Sequence, residues 1–324
     1  MDFILEAKNL TKTFSLDAGF FAKADKKVYA VNDVSFGIER GKTYGLVGES
    51  GCGKTTTARL LVQMYKANSG SIIYNPQGEK PACDVTKLSK TELREYREKI
   101  KYVFQDPSRS LNPRMSVCSI LTNAYRYSKS FPGKTAAREQ AATLLEEVGL
   151  DPSDLDRRPS EFSGGQRQRI SIARGLIMKP DVLICDEIVS ALDVSIQGQI
   201  LNLLLDIKNS RNLSFLFIAH DLRVSCYFCD TIGVMYSGML LEEAPAKDLY
   251  KTAAHPYTKL LFEGSAGKGT LNAGEVKTVL KNVTGCPFAH RCPKATEKCK
   301  NEIPEWKNID KNHKARCHYL GVAE

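Results

Sequence analysis

The sequence predicts an α/β fold with a largely parallel sheet, because short apolar segments of strand length alternate with segments of helical pattern. The predicted strands are "TYGLVG" (43–48), "VLICDE" (182–187), "SFLFIAH" (214–220) and "TIGVMYSG" (231–238). The predicted helices are "KTTTARLLVQMY" (54–65) and "SIQGQILNLLLDIKN" (195–209). Residues 90–178 interrupt this alternation with a mostly helical pattern, which predicts an inserted helical subdomain.

Length and composition indicate a chain of two parts. With 324 residues it is long for one average domain and suits one large domain plus an additional module. The net charge of +9 permits phosphate, acidic lipid or nucleic acid as partners without selecting among them. The sequence has no run of about 18 apolar residues that would predict a transmembrane helix. The start "MDFILEAKNL" lacks the basic leader of a signal peptide, so we expect a cytosolic protein.

The ten cysteines are unevenly distributed along the chain. Six are scattered, whereas the last forty residues contain Cys286, Cys292, Cys299 and Cys317. The Gly-rich stretch 263–275 precedes these four and is typical of a linker. The composition therefore predicts a separate C-terminal module. In a cytosolic protein its cysteines are expected to be reduced, metal-bound or buried.

A phosphate-binding loop is predicted where the first strand meets the first helix. The segment "GESGCGKT" fits the pattern G-x-x-x-x-G-K-[ST] and comprises Gly48, Glu49, Ser50, Gly51, Cys52, Gly53, Lys54 and Thr55. Glycines let backbone N–H groups converge on an anion, and the helix directs its positive dipole end to the same place. Lys54 would neutralise the β and γ phosphates, Thr55 would coordinate Mg²⁺, and Thr56 would also bind the nucleotide. The alternative is a Gly-rich turn with an exposed lysine.

Two acids follow the second predicted strand. Asp186 ends "VLICDE" as a magnesium-binding carboxylate should, and Glu187 comes next. A general base at Glu187 could polarise the water that attacks a phosphate. A surface acid pair after a buried strand is the alternative, which the phosphate loop disfavours.

A third motif indicates the class of phosphate-binding protein. The segment "EFSGGQRQRISIAR" (161–174) resembles the signature of ATP-binding cassette (ABC) ATPases, with Phe162 in place of the usual Leu. Physically, Ser163 and two glycines at a helix N-terminus form a second anion site. The resemblance implies a RecA-like P-loop core with an inserted helical subdomain. It also implies a head-to-tail dimer in which the signature caps the partner's bound ATP; the residues concerned are Ser163, Gly164, Gly165 and Gln166.

Further positions follow from the same resemblance. Gln105 in "YVFQDP" matches the glutamine that senses Mg²⁺ and the γ-phosphate, and "SALD" (190–193) matches the loop along the dimer interface. His220 matches the histidine that contacts the γ-phosphate. Phe14 matches the aromatic residue that stacks on adenine. The stretch after Phe14 is long, so the alternatives for adenine are Phe20, Phe21 and Tyr29.

Three segments narrow the resemblance further. "VFQDPSRSLNPRMSV", "ALDVSIQGQILNLL" and "AHPYTKLL" together resemble the ATP-binding subunits of dipeptide and oligopeptide importers, of the second-ATPase type. This implies an ABC ATPase domain over 1–254 and an importer-type C-terminal extension over 255–324. It also implies ATP hydrolysis that powers peptide uptake, on the inner face of the cell membrane.

The same resemblance implies the partners. They are a paralogous or identical ATPase subunit, two transmembrane permease subunits and, indirectly, a peptide-binding protein. One alternative is a soluble ABC ATPase acting on nucleic acid or ribosomes, whose usual coiled-coil insertion or second cassette is not visible in this sequence. The other is a non-hydrolysing regulatory subunit, which the intact Lys54, Asp186, Glu187 and His220 disfavour.

The four late cysteines have the spacing C-x5-C-x6-C-x17-C. Four thiolates suit Zn²⁺ or an iron–sulfur cluster. The wide spacing favours a cluster, and importers of this family carry a 4Fe-4S cluster on such a tail. Zn²⁺, disulfides and free thiols remain alternatives. No aromatic stacking pattern supports nucleic-acid binding. We expect a cluster that staples the tail and leaves Mg-ATP binding mostly independent of it.

Overall fold

The computed structural model describes residues 2–15, 27–76, 81–265 and 284–320. The chain forms two compact units, one of residues 1–87 with 217–324 and one of residues 88–216. The second unit is therefore inserted into the sequence of the first. No helix in the described ranges is both long enough and apolar enough to cross a membrane.

The first unit begins with β-strands and one helix. Its elements before the insertion are β1 (Phe3–Ser15), β2 (Lys27–Glu39), β3 (Thr43–Val47), α1 (Lys54–Leu61), β4 (Ser69–Tyr74) and β5 (Cys83–Asp84). Strands β2, β1, β4 and β5 form an antiparallel sheet in that order. The sequence analysis does not predict this sheet. Strand β3 agrees with its predicted range, and all five of its residues are buried.

The second unit contains most of the helices. Its elements are α2 (Lys90–Lys99), β6 (Ile100–Val103), α3 (Pro107–Ser110), α4 (Val117–Thr122), α5 (Lys134–Glu147), α6 (Gly164–Leu176), β7 (Val182–Asp186) and α7 (Val194–Arg211). Strand β8 (Ser214–Ala219) leads back to the first unit. The predicted β7, α7 and β8 are confirmed. The stretch 90–178 holds five α-helices, as its mostly helical pattern predicts, but also strand β6, which pairs in parallel with β7.

The rest of the chain completes the first unit. Its elements are α8 (Leu222–Phe228), β9 (Thr231–Tyr236), β10 (Met239–Pro245), α9 (Ala246–Thr252), α10 (Pro256–Ser265), α11 (Glu297–Asn301), β11 (Trp306–Asp310) and β12 (His313–Arg316). Strands β11, β12, β10, β9 and β3 are successive neighbours, and β3 runs parallel to β9 as predicted. Residues 263–265 of the expected linker end α10, and 266–275 lie outside the described residues.

Residues 284–320, which we name the cysteine tail, join the sheet of the first unit. Strand β12 pairs with β10, where Ala315 is opposite Glu242. Beneath this pairing the Glu242 carboxylate is fully buried and contacts Nε2 of the buried His313 at 2.6 Å. It also accepts hydrogen bonds from the N–H groups of Ala254 and His255, at 2.8 and 2.9 Å. Composition suggests a separate tail, but backbone pairing and a buried carboxylate attach it to the sheet.

Candidate functional site

The phosphate loop connects β3 to α1, with the strand before and the helix after as predicted. Lys54 is the first residue of α1 and is 3% exposed. Its Nζ donates to the carbonyl oxygens of Gly48 and Glu49, at 2.7 and 3.0 Å. The residue before the helix is Gly53, which provides no side-chain cap. A helix start with a nearby ammonium and without a side-chain cap is the arrangement that receives an anion.

Gly53 and Gly51 require left-handed backbone conformations, with φ of 111° and 79°. A Cβ on Gly53 would lie 2.2 Å from the carbonyl oxygen of Ala30, whereas a Cβ on Gly51 would meet nothing within 4 Å. Both positions therefore favour glycine for its backbone freedom. At Gly53 the loop also passes too close to β2 for any side chain.

Glu49 is held from three directions. Its N–H donates to the Tyr257 hydroxyl at 3.0 Å, and its carbonyl accepts from Lys54. Its carboxylate forms a two-armed ion pair with the Arg291 guanidinium, at 2.7 and 3.0 Å. The sequence analysis does not identify Tyr257 or Arg291 as site residues, since each lies more than 200 positions away along the chain.

Phe14 and His220, two other predicted residues of the first unit, are each at least partly accessible to solvent. Phe14 near the end of β1 is half-buried and contacts Tyr65 edge-on, with ring centroids 5.4 Å apart. The Nζ of Lys12 lies 5.1 Å from the Phe14 centroid. His220 is exposed directly after β8. Of the alternatives for adenine, Tyr29 is half-buried in β2, and Phe20 and Phe21 lie outside the described residues.

In the second unit, the two predicted acids lie at the end of β7. Asp186 is 5% exposed and accepts a hydrogen bond from the Tyr102 hydroxyl of β6. Glu187 follows with a φ of 48°, a left-handed conformation that is uncommon for a glutamate. The Gln105 amide donates to the Glu187 carboxylate at 2.9 Å. The structure therefore brings Gln105 and Glu187 together, and it adds Tyr102, which the sequence analysis does not identify.

The signature segment begins α6 in this unit. Ser163 caps the helix: its Oγ accepts from the Gln166 N–H at 3.3 Å, and its own N–H donates to the Gln166 side chain at 2.9 Å. A Cβ on Gly164 would meet nothing within 4 Å, so the start of this helix has open space beside it. Phe162 is 4% exposed beneath the Arg157 guanidinium, 4.5 Å from its ring centroid. A buried site suits a large apolar side chain, and the cation above the ring gives Phe a contact that Leu could not make.

The four cysteines of the cysteine tail line one cavity, together with Phe288 and Pro304. Burial, together with the neighbouring thiols of Cys299, Cys317 and Cys292, raises the pKa of Cys286 to about 11. Four thiols around one cavity fit the ligand set of an iron–sulfur cluster. Among the residues that the structure describes, no group of three His, Cys, Asp or Glu is arranged to hold a metal ion. The structure by itself thus shows neither a 4Fe-4S cluster nor a Zn²⁺ site.

Comparison with known proteins identifies the protein family to which this chain belongs. Residues 31–190 match the ABC transporter family, and residues 241–299 match the C-terminal region of oligopeptide/dipeptide transporters. The structure resembles cbiO1 from Clostridium perfringens, part of an ABC transporter complex, with a TM-score of 0.64 and 25% identity. That likeness covers 78% of this chain and 92% of the other. The fold and the motifs together define a RecA-like ABC ATPase, which hydrolyses ATP.

The full-length relatives narrow this assignment. The chain is 41% identical to the oligopeptide transport ATP-binding protein AppF of Bacillus subtilis, over 97% of both chains. It is 39% identical to the di/tripeptide transport ATP-binding protein DppF of Pseudomonas aeruginosa, over 98% of both. The chain therefore belongs to the family of oligopeptide and dipeptide ABC transporter ATP-binding proteins. The resemblance inferred from the signature and from the three importer segments is confirmed.

The two loop glycines give a matched test of the phosphate loop. Gly51→Ala should lower the free energy of unfolding by about 1 kcal/mol, the cost of a left-handed alanine. Gly53→Ala should cost clearly more, because the Ala30 carbonyl must also move. Urea unfolding without nucleotide measures both. Equal losses would show that the approach of β2 does not constrain the loop.

Proposed function

We propose that this chain hydrolyses ATP to drive import of dipeptides or oligopeptides, with the residue roles given below. The observation that carries the catalytic assignment is the hydrogen bond from Gln105 to Glu187, directly after the buried Asp186. This bond holds a carboxylate in one orientation at a strand end. A general base must be positioned in this way.

The phosphate loop binds the nucleotide in this proposal. Lys54 exchanges its two loop carbonyls for the β and γ phosphates, and loop N–H groups contact the remaining phosphate oxygens. Thr55, Asp186 and Gln105 would hold Mg²⁺, which would neutralise charge on the phosphates. Thr56 adds a contact next to Thr55. The binding loop consists of Gly48, Glu49, Ser50, Gly51, Cys52, Gly53, Lys54 and Thr55.

Three side chains serve the chemical step. Glu187 takes a proton from the attacking water, and Gln105 orients the Glu187 carboxylate. His220 stabilises the charge that develops on the γ-phosphate. The exposure of His220 suits a residue that meets a ligand from solvent. Phe14 stacks on adenine, and its edge-on contact with Tyr65 restricts the orientation of the Phe14 ring.

The signature residues act on a second chain. The open space beside Gly164 and the capped start of α6 suit an anion supplied from outside the chain. We infer that Ser163, Gly164, Gly165 and Gln166 cap the ATP bound to a partner ATPase, paralogous or identical, in a head-to-tail dimer. ATP then stabilises the closed dimer and hydrolysis releases it, so binding energy becomes conformational change.

Replacing the base tests the catalytic assignment. Glu187→Gln should keep the Gln105 hydrogen bond through its amide oxygen but lose the proton acceptor. Turnover should fall by about a hundredfold or more, with Mg-ATP binding retained. The exposed Glu139→Gln is the control and should leave turnover unchanged. A Glu187→Gln chain as active as the control would remove Glu187 from the role of base.

The proposed partners are two transmembrane permease subunits, with a peptide-binding protein acting through them, on the inner face of the cell membrane. The relatives named for oligopeptide and di/tripeptide transport support this assignment. The match of residues 241–299 to the transporters' C-terminal region supports 255–324 as the importer extension of an ATPase domain over 1–254. No nucleic-acid partner is proposed.

Purification from detergent-solubilised membranes tests the partners. We expect the tagged chain to bring down multi-spanning permease subunits and a second ATPase, identified by mass spectrometry. The Gly164→Asp chain controls for contacts that need the closed dimer, because a carboxylate at the start of α6 should repel the partner's phosphates and prevent closure on ATP. Recovery with ribosomes or nucleic acid instead of permeases would favour the alternative of a soluble ABC ATPase.

We also propose a 4Fe-4S cluster held by Cys286, Cys292, Cys299 and Cys317. Its supporting observation is the single cavity that all four line. Phe288 is the one large apolar residue of the described tail that is fully buried, so the tail has little hydrophobic core of its own. The cluster would link its segments in place of such a core. Small segments of this kind are commonly stabilised by a metal centre.

Metal analysis of anaerobically purified protein tests the cluster. We expect about four irons per chain and a broad absorption at about 400 nm. Serine at any of the four positions should lower the iron content, whereas Cys83→Ser and Cys118→Ser should not, because both lie outside the cysteine tail. Stoichiometric zinc without iron or sulfide would support the zinc alternative and overturn the cluster.

A further inference from the structure

We propose that Arg291 of the cysteine tail is a positioning residue of the nucleotide site, which neutralises and holds Glu49 of the phosphate loop. This inference rests on the proposed role of the loop in binding ATP. It adds a residue that lies outside every motif of the ATPase domain. It also makes nucleotide affinity depend on the cysteine tail.

The charge of Glu49 requires a partner. Glu49 places a carboxylate within the loop that is proposed to bind the phosphates of ATP. The carboxylate and the phosphates are both negative, and they repel each other more strongly where little water screens them. Arg291 meets this carboxylate with two parallel hydrogen bonds, at 2.7 and 3.0 Å. The side chains are 11% and 17% exposed, so solvent screens the pair only weakly. Such two-armed arginine–carboxylate contacts are among the stronger ion pairs.

A turn of the cysteine tail and two aromatic rings position Arg291. Its N–H donates to the Phe288 carbonyl at 3.0 Å, within a turn that lies between Cys286 and Cys292. The guanidinium lies 5.9 Å from the ring centroids of both Phe288 and Tyr236. Aromatic faces and a short turn therefore restrict its orientation. Because the turn is bounded by two of the four cysteines, the fold of the cysteine tail decides whether Arg291 reaches the loop.

Tyr257 holds Glu49 independently of Arg291. The Tyr257 hydroxyl accepts from the Glu49 N–H, and Tyr257 is fully buried against Phe288, with ring centroids 5.3 Å apart. Its own N–H donates to Nδ1 of His255 at 3.1 Å. The backbone of Glu49 thus stays fixed by Tyr257 when Arg291 is altered. A change at Arg291 mainly removes the neutralising charge.

Charge-preserving and charge-removing variants test the inference. Arg291→Met should raise the Kd for Mg-ATP by about five- to tenfold, a range typical of coupling between neighbouring groups. The kcat at saturating ATP should stay within about twofold, because Arg291 does not contact the reacting atoms. Arg291→Lys keeps the charge and should bind nearly as wild type. Adding Glu49→Gln to Arg291→Met removes the unpaired carboxylate and should restore most of the affinity.

Arg316 provides the matched control. It also ties the cysteine tail to the N-terminal part of the first unit, through an ion pair with Asp33 at 3.0 Å, and its side chain is likewise 11% exposed. Arg316→Met should lower the melting temperature without changing the Kd. The inference is overturned if Arg291→Met leaves the Kd unchanged, if Arg316→Met raises it equally, or if Glu49→Gln fails to restore it. Wild-type hydrolysis in the same assay separates these outcomes from a failure of the proposed function.

Discussion

The buried carboxylate of Glu242 is the constraint on which the C-terminal half of the first unit depends. Burial alone would raise its pKa, but hydrogen bonds from His313 and from the N–H groups of Ala254 and His255 lower it. A carboxylate out of water must keep such partners. To place the N–H groups of Ala254 and His255 beside this carboxylate, the chain after α9 must turn back onto β10. To place His313 there, strand β12 must pair with β10. The segment with Tyr257 and the turn with Arg291 both follow from this placement.

The features that the sequence analysis predicts are those encoded locally. The phosphate loop, the acids after β7 and the capped signature helix each depend on residues a few positions apart, so their motifs carry the geometry. Resemblance to a family then supplies the roles of Gln105 and His220, which no local pattern could assign.

The features that it misses are non-local. Strands β1 and β2 form a long antiparallel pair with several register shifts, and such irregular strands do not produce a clean alternation of apolar residues. Tyr102 contacts Asp186, and Tyr257 and Arg291 contact Glu49, only through folding. The sequence also predicts a cysteine tail that a cluster staples, with Mg-ATP binding mostly independent of it. The contacts of Glu49 favour the opposite, because a short tail can act at a distance in sequence when its sheet pairing brings it onto a loop.

The thiol inside the phosphate loop has a consequence for the durability of the ATPase. Cys52 is 1% exposed, and burial raises its pKa although the nearby Lys54 lowers it. The thiolate is the form that alkylating agents and oxidants attack, so a buried, protonated sulfur reacts slowly. The chain can therefore carry a cysteine within its phosphate loop through oxidative conditions. Damage of that kind would fall first on the half-exposed thiols elsewhere.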